Sequence, residues 1–209
     1  RCMTPGRLLL VMLLVASAVA PELRATPLAA ARCDFDNDGF DDLALGVPGE
    51  NVGGLGNAGA VNVIYGSAAG LSAAGDQIWH QNSPSVIGVA ESGDGFGTVV
   101  ACGNFNRDQY DDLAIGVPGE DVEGVQNAGA VAILFGSSAG LAAAGNELRH
   151  QDSGTVSDRA ESGDRFGAAL ASGDFDDDGA DDLAVGVPGE DLPSLNNAGV
   201  VNVLYGGRN

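Results

Sequence analysis

The chain contains no lysine: all nine of its cations are arginine, set against 29 acidic residues, for a formal charge of −20. From Cys33 onward the imbalance steepens to 28 acids and five arginines. Phosphate recognition needs a basic stripe, so nucleic acid and anionic membrane are excluded as main partners. Aromatic residues make up 5% of the chain, so its core must be built mainly from small aliphatic side chains. Histidine occurs twice and cysteine three times, with no metal-type cysteine spacing. There is no Arg-Gly-Asp, no N-glycosylation sequon and no stretch that sustains a helical period over three turns.

What is present is organised. Half of the acids after Cys33 fall in three clusters, at 34–42, 108–112 and 174–182. Between them run Val, Leu, Ile and Ala segments, which disordered acidic tails lack. Glycine, at 33 residues, suits a protein of many turns. Residues 1–31 read as a secretory leader: Arg1 and Arg7 precede the apolar run Leu8 to Ala20, which is short for a membrane span. Cleavage can follow Ala18-Val19-Ala20, although Pro21 disfavours it, or Ala29-Ala30-Ala31; an uncleaved anchor is the alternative. Arg32 stands where a lipidated Cys33 would need a small residue, which rejects a lipoprotein. Cys2 leaves with the leader, and Cys33 and Cys102 can pair in an oxidising compartment without the spacing requiring it.

The architecture follows from an internal repeat. Asp34-Phe35, Asn104-Phe105 and Asp174-Phe175 are 70 residues apart, and so are Pro48, Pro118 and Pro188, and Gly59, Gly129 and Gly199. The units run over about 33–95, 96–165 and 166–209. Each reads as an acidic cluster, then Asp-Asp-Leu-Ala-x-Gly-Val-Pro-Gly-Glu, a Gly/Asn-rich stretch, Asn-Ala-Gly, and an apolar run ending in an aromatic and Gly. Segments such as Phe166–Phe175, Leu183–Val187 and Val200–Tyr205 are short, aliphatic and bounded by Gly, Pro or Asp, which reads as strands. A weaker fourth strand is expected around Ile78–Gln81 and Glu147–Gln151. Four short antiparallel strands per unit, repeated radially, is an all-β fold of β-propeller type.

Phe96-Gly97, Phe166-Gly167, the Asp-rich loop and Gly-Val-Pro followed by Ala-Gly resemble the FG-GAP repeat. That repeat builds the seven-bladed propeller of integrin alpha subunits and occurs in secreted phospholipase D-like and bacterial surface proteins. The resemblance covers 33–209. It implies a partial propeller of about two and a half blades, to be closed by further blades of a longer protein or by assembly of several chains.

The acidic clusters have the spacing of a cation loop. Asp34, Asp36, Asp38 and Asp42 stand at places 1, 3, 5 and 9, with Gly39 at place 6; Asp174, Asp176, Asp178 and Asp182 repeat this with Gly179. Ca²⁺ takes six to eight oxygens at about 2.3–2.6 Å, which four carboxylates, the carbonyl at place 7 (Phe40, Ala180) and water can supply. Place 12 holds Leu45 or Val185, not Glu, and no exit helix follows, so an EF-hand is excluded. The resemblance implies the same calcium loop between the first two strands of a blade. The middle loop, Asn104, Asn106, Asp108, Tyr110 and Asp112, carries less charge and has Gln109 in place of the glycine. It is expected to be the weakest site.

The repeat also disposes of two enzyme-like motifs. Gly136-Ser137-Ser138-Ala139-Gly140 fits a hydrolase nucleophile pattern, but its counterpart has Ala68 at the nucleophile place. Gly54-Leu55-Gly56-Asn57-Ala58-Gly59 fits a nucleotide fingerprint, but the other units lack its glycines. His80 and His150 are repeat twins, as are Glu91 and Glu161, and read as blade-positioning residues. The leader and the acidic loops point to a secreted or surface calcium-binding module with no catalytic set in this chain, and the resemblance to integrin alpha subunits implies a role in adhesion or protein–protein binding. The variable stretches 51–56, 121–126, 191–196, 82–90 and 152–160 are its candidate ligand surfaces. Two alternatives stand: the propeller portion of a secreted phospholipase D-like hydrolase, or a structural, self-assembling surface protein.

Overall fold

The apolar segments between the Gly and Pro breaks form eleven strands in the computed structural model, which describes residues 30–154, 156 and 158–207. The leader expected over 1–31 lies, as far as residue 29, outside the described residues. The first sheet takes β1 (Ala30–Cys33), β2 (Asp42–Val47), β3 (Ala60–Tyr65) and β4 (Ser72–Trp79) in that order. The second repeats it with β5 (Val100–Gly103), β6 (Asp112–Val117), β7 (Ala130–Phe135) and β8 (Ala142–Arg149). The third has β9 (Ala169–Gly173), β10 (Asp182–Val187) and β11 (Val200–Leu204). All neighbouring strands are antiparallel, and no helix occurs among the described residues. These are three blades of an unclosed β-propeller, with β5 packed between β1 and β9.

Burial records the stacking. Every residue of β6 is buried, because a sheet covers each of its faces, whereas the central strand β2 of the first blade alternates between buried and half-buried. Leu113 and Ile115 join Phe35, Val61, Val63 and Leu134 in the core between blades one and two. Ala114 points the other way, into a second core with Phe105, Val131, Phe166, Leu183 and Val185. Alternation along one strand thus serves two interfaces. A disulfide joins Cys33 to Cys102, with Cα atoms 6.2 Å apart, and ties β1 to β5.

Two expectations need correction. The apolar run from Phe166 does not form one strand. Gly167 turns with φ +86°, β9 starts at Ala169, and Phe166 belongs to the preceding blade. Its ring is fully buried and its N–H donates to Ala128 O at 2.8 Å, as Phe96 N–H does to Ala58 O at 2.9 Å. Gly129 and Gly59 receive these segments, and a Cβ on either would collide with the Phe backbone. The fourth strands also start earlier than expected, at Ser72 and Ala142, and end at Trp79 and Arg149. Ser72-Ala73-Ala74-Gly75 is an exposed edge with no apolar alternation, so its pairing with β3, past a bulge between Val63 and Tyr65, left no periodic signal. His80 and Gln81 have left the sheet, the His80 N–H donating to Ser83 Oγ at 3.0 Å.

The antiparallel order fixes what lies where. The β1–β2 and β3–β4 connections and their repeats occupy one end of the blades. The β2–β3 connections and the linkers to the next blade occupy the other.

Candidate metal loops and the clasp at the opposite end

Each acidic cluster forms the tight connection between the first two strands of its blade. In the first loop Asn37 and Gly39 adopt left-handed backbone, with φ 57° and 90°. This curls the chain so that its N–H groups point at Asp34: Asp38 N–H donates to Oδ1 at 3.0 Å and Gly39 N–H to Oδ2 at 2.9 Å. The third loop does the same, with Asp178 and Gly179 donating to Asp174 at 3.1 and 3.0 Å. Carboxylate oxygens of Asp34, Asp36 and Asp42 come within 4.8 Å of one another, as do those of Asp174, Asp176 and Asp182. Oxygens on opposite sides of one Ca²⁺ are separated by about twice 2.3–2.6 Å, so this spacing fits a single hard cation.

The remaining predicted ligands are placed differently. Asp38 and Asp178 stand outside the two groups of three and accept the N–H of Phe40 and Ala180, each at 2.9 Å. The aspartate at place 9 has a second role in all three blades. Asp42 Oδ2 accepts Phe35 N–H and Oδ1 accepts Gly66 N–H, both at 2.8 Å, stapling the loop to the end of β3. Asp112 binds Phe105 and Gly136 in this way, and Asp182 binds Phe175 and Gly206. Burial raises Asp36 and Asp42 above the usual carboxylate range, opposed by backbone N–H donors and reinforced by neighbouring carboxylates. Asp112, fully enclosed, is pushed up to about 7, chiefly by burial.

The middle loop holds itself closed by other means. Arg107 takes the left-handed position with φ 66°, but Gln109 does not follow where the other loops have glycine. The Asn104 amide donates to Asp108 O at 2.5 Å, and the Asn106 amide to Asp108 Oδ2 at 2.9 Å. These N–H groups draw the loop's oxygens together as a cation would. Asn104 Oδ1 is buried and has no hydrogen-bond partner, and an orphaned acceptor of this kind fits water or a weakly held cation.

At the other end lies a polar contact that the sequence reading missed. Gln81 and Gln151, 2% and 1% exposed, follow the histidines. Gln151 Nε2 donates to Glu190 Oε2 at 2.5 Å, and Gln81 makes the same contact with Glu120. The first and second blades therefore each clasp the Pro-Gly-Glu turn of the next. Burial pushes Glu120 and Glu190 up to about 7, with the Gln amides acting against it. Asp94 and Asp164, 1% exposed, accept the N–H of Glu91 and Glu161, while their carbonyls take Gly119 and Gly189 N–H at 3.0 Å. The signal was in the sequence: Gln and Glu recur 39 residues apart in both copies.

Comparison with known proteins agrees with this geometry. The FG-GAP repeat model matches residues 27–64, 96–134 and 166–204. Phosphatidylinositol-glycan-specific phospholipase D of Bos taurus is 35% identical over 160 residues, 77% of this chain and 18% of that protein. The Rattus norvegicus protein of that name is 39% identical over 110 residues, 53% of this chain and 13% of its own length. Integrin alpha-3 of Cricetulus griseus is 31% identical over 183 residues, 84% of this chain and 15% of that protein. The chain thus spans less than a fifth of the relatives it matches. With three matched repeats and the blade geometry they predict, this chain belongs to the FG-GAP repeat family.

Proposed function

We propose that the chain is a calcium-stabilised propeller module of a secreted or surface protein that binds other proteins through the loops at the end opposite its metal loops. The observation that carries this reading is the division of labour between the two ends. The repetitive, carboxylate-rich connections cluster at one end, while the variable stretches 51–56, 121–126, 191–196 and 82–90, with the described residues of 152–160, gather at the other. Asp34, Asp36 and Asp42 would hold one cation and Asp174, Asp176 and Asp182 another, with Asp38, Asp178 and the carbonyls of Phe40 and Ala180 completing the oxygen set. Asn104, Asn106, Asp108, Asp112 and the Tyr110 carbonyl would form the weakest site. The ion supplies charge compensation, and the residues around it fix the hairpins that set the blades. The Cys33–Cys102 disulfide and the leader-like N-terminus support an oxidising, extracellular setting.

Exposed apolar side chains support contact at the variable end. Ile87 and Val89 are 49% and 68% exposed. The test is retention of extracellular proteins on a surface coated with the full chain. A variant with Ile87→Ser and Val89→Ser should lose retention and keep its calcium affinity. Equal retention by both chains would contradict the assignment of the binding end.

A second reading rests on the matches to proteins named phosphatidylinositol-glycan-specific phospholipase D. In it the chain is the propeller portion of a secreted hydrolase, with the catalytic groups contributed from another domain. Ser138 belongs to a turn after β7 in which Ser137 Oγ donates to Gly140 O at 2.6 Å, which accounts for the Gly-Ser-Ser-Ala-Gly stretch. Among the described residues no helix is long and apolar enough to cross a membrane.

A further inference from the structure

We propose that Arg107, which belongs to the middle loop, sets the cation affinity of the third loop and holds it below what that loop's own charge would give. The inference rests on the calcium reading above. By charge alone the third loop should bind more tightly than the first, with six carboxylates between Asp174 and Asp182 against five between Asp34 and Asp42. The two loops otherwise share their turn geometry and their hydrogen bonds to place 1. They differ in what stands over the place-6 glycine. A Cβ on Gly39 would have nothing within 4 Å. A Cβ on Gly179 would stand 3.2 Å from Arg107 Nη2 and 3.6 Å from both Cζ and Nε, so the guanidinium stands over this residue.

That location is inside the third loop's electrostatic field. The N–H of Gly179 donates to Asp174 Oδ2, one of the carboxylates in the group of three. The Arg107 stem and Asp178 Oδ2 both border Gly207, at 3.9 and 3.5 Å from where its Cβ would stand. A guanidinium here partly neutralises the carboxylates when no ion is bound and repels an ion that arrives. The turn itself asks for no cation at this place, since the first and third loops adopt the same left-handed backbone with Asn37 and Asp177. One blade thereby adjusts the metal loop of its neighbour, and the middle loop, poor in carboxylates, contributes to the next site instead.

Calcium titration of the full chain by calorimetry at low salt tests this with Arg107→Asn, which reproduces the residue of the first loop and keeps the turn. The third-loop event is identified as the one abolished by Asp176→Asn. In Arg107→Asn its dissociation constant should fall about fivefold, with the first-loop constant unchanged and Arg107→Lys behaving as wild type. The gain should shrink as ionic strength is raised, which a purely steric role would not produce. An unchanged or weaker third-loop constant, or a gain insensitive to salt, would overturn the inference. Absence of any calcium binding in the wild-type chain would instead overturn the calcium reading itself.

Discussion

The first and middle loops occupy the same place in neighbouring blades, share the same aspartate staple to the end of the third strand, and solve the problem of crowded oxygens in opposite ways. In the first loop, backbone N–H groups converge on Asp34 while three carboxylates face one another at cation spacing. In the middle loop two of those carboxylates are amides, and their N–H groups bind Asp108 directly. The difference teaches that the hairpin is set by the place-9 aspartate and the left-handed residue at place 4, which both loops keep. On the calcium reading proposed above, an ion would be needed only where the remaining charge is not already compensated. A loop can drop its carboxylates and still fold, and on that reading its neighbour would differ from it in metal dependence more than in shape.

The largest effect that would break this comparison is chelation. Two sites each half-saturated well below the free calcium present contribute several kcal/mol, at about 2.7 kcal/mol per site when calcium is a hundredfold above its dissociation constant. For a domain of this size, removing the ion should lower the melting temperature by about 10–20 °C. An unchanged melt followed by circular dichroism would remove the structural role of calcium. Next in size, Asp36→Asn should abolish one tight binding event and reduce that chelator sensitivity by about half. Asn106→Asp should leave the melt of the chelated protein unchanged or lower, because it loses the amide contact to Asp108.

A gain-of-function variant sharpens the same contrast. Asn104→Asp with Asn106→Asp and Gln109→Gly rebuilds the middle loop on the pattern of the other two and should convert it to a third tight site, read by calorimetry. If affinity stays weak, the amide and glycine differences are not what separates the loops. The smallest effect concerns the opposite end. Glu120 and Glu190 are raised to about 7 by burial, so the folded chain holds more protons than the unfolded chain between about pH 4.5 and 7. Stability in chelator should therefore fall as pH rises through that window, by a few degrees in melting temperature. Glu120→Gln should flatten part of the slope, and a slope of the opposite sign would refute the assignment.

Much of this was legible in the residues. The 70-residue period exposed the blades, because Asp, Pro and Gly at fixed places each do one geometric job that cannot shift. The loops were legible because alternate carboxylates around a glycine have one economical arrangement. Other features left weaker traces. The outer half of β4 is an exposed edge and that of β8 is Ala-Ala-Ala-Gly, so nothing in their composition alternates. Phe96 and Phe166 look like strand starts, yet they plug the preceding blade, a contact that exists only once two blades are side by side. The Gln–Glu clasp has the same cause: its members lie 39 residues apart and recur together, but only packing shows that they meet. Arg107 has no repeat twin, so its reach over Gly179 could not be read from the period at all.

The central claim is that charge pattern, with fold held constant, separates the three loops. Calcium titration of the full chain by calorimetry tests it most directly. Two tight binding events and one much weaker or undetected event are predicted, the tight pair lost singly in Asp36→Asn and Asp176→Asn. Three equal sites, or no calcium binding at all, would contradict the account.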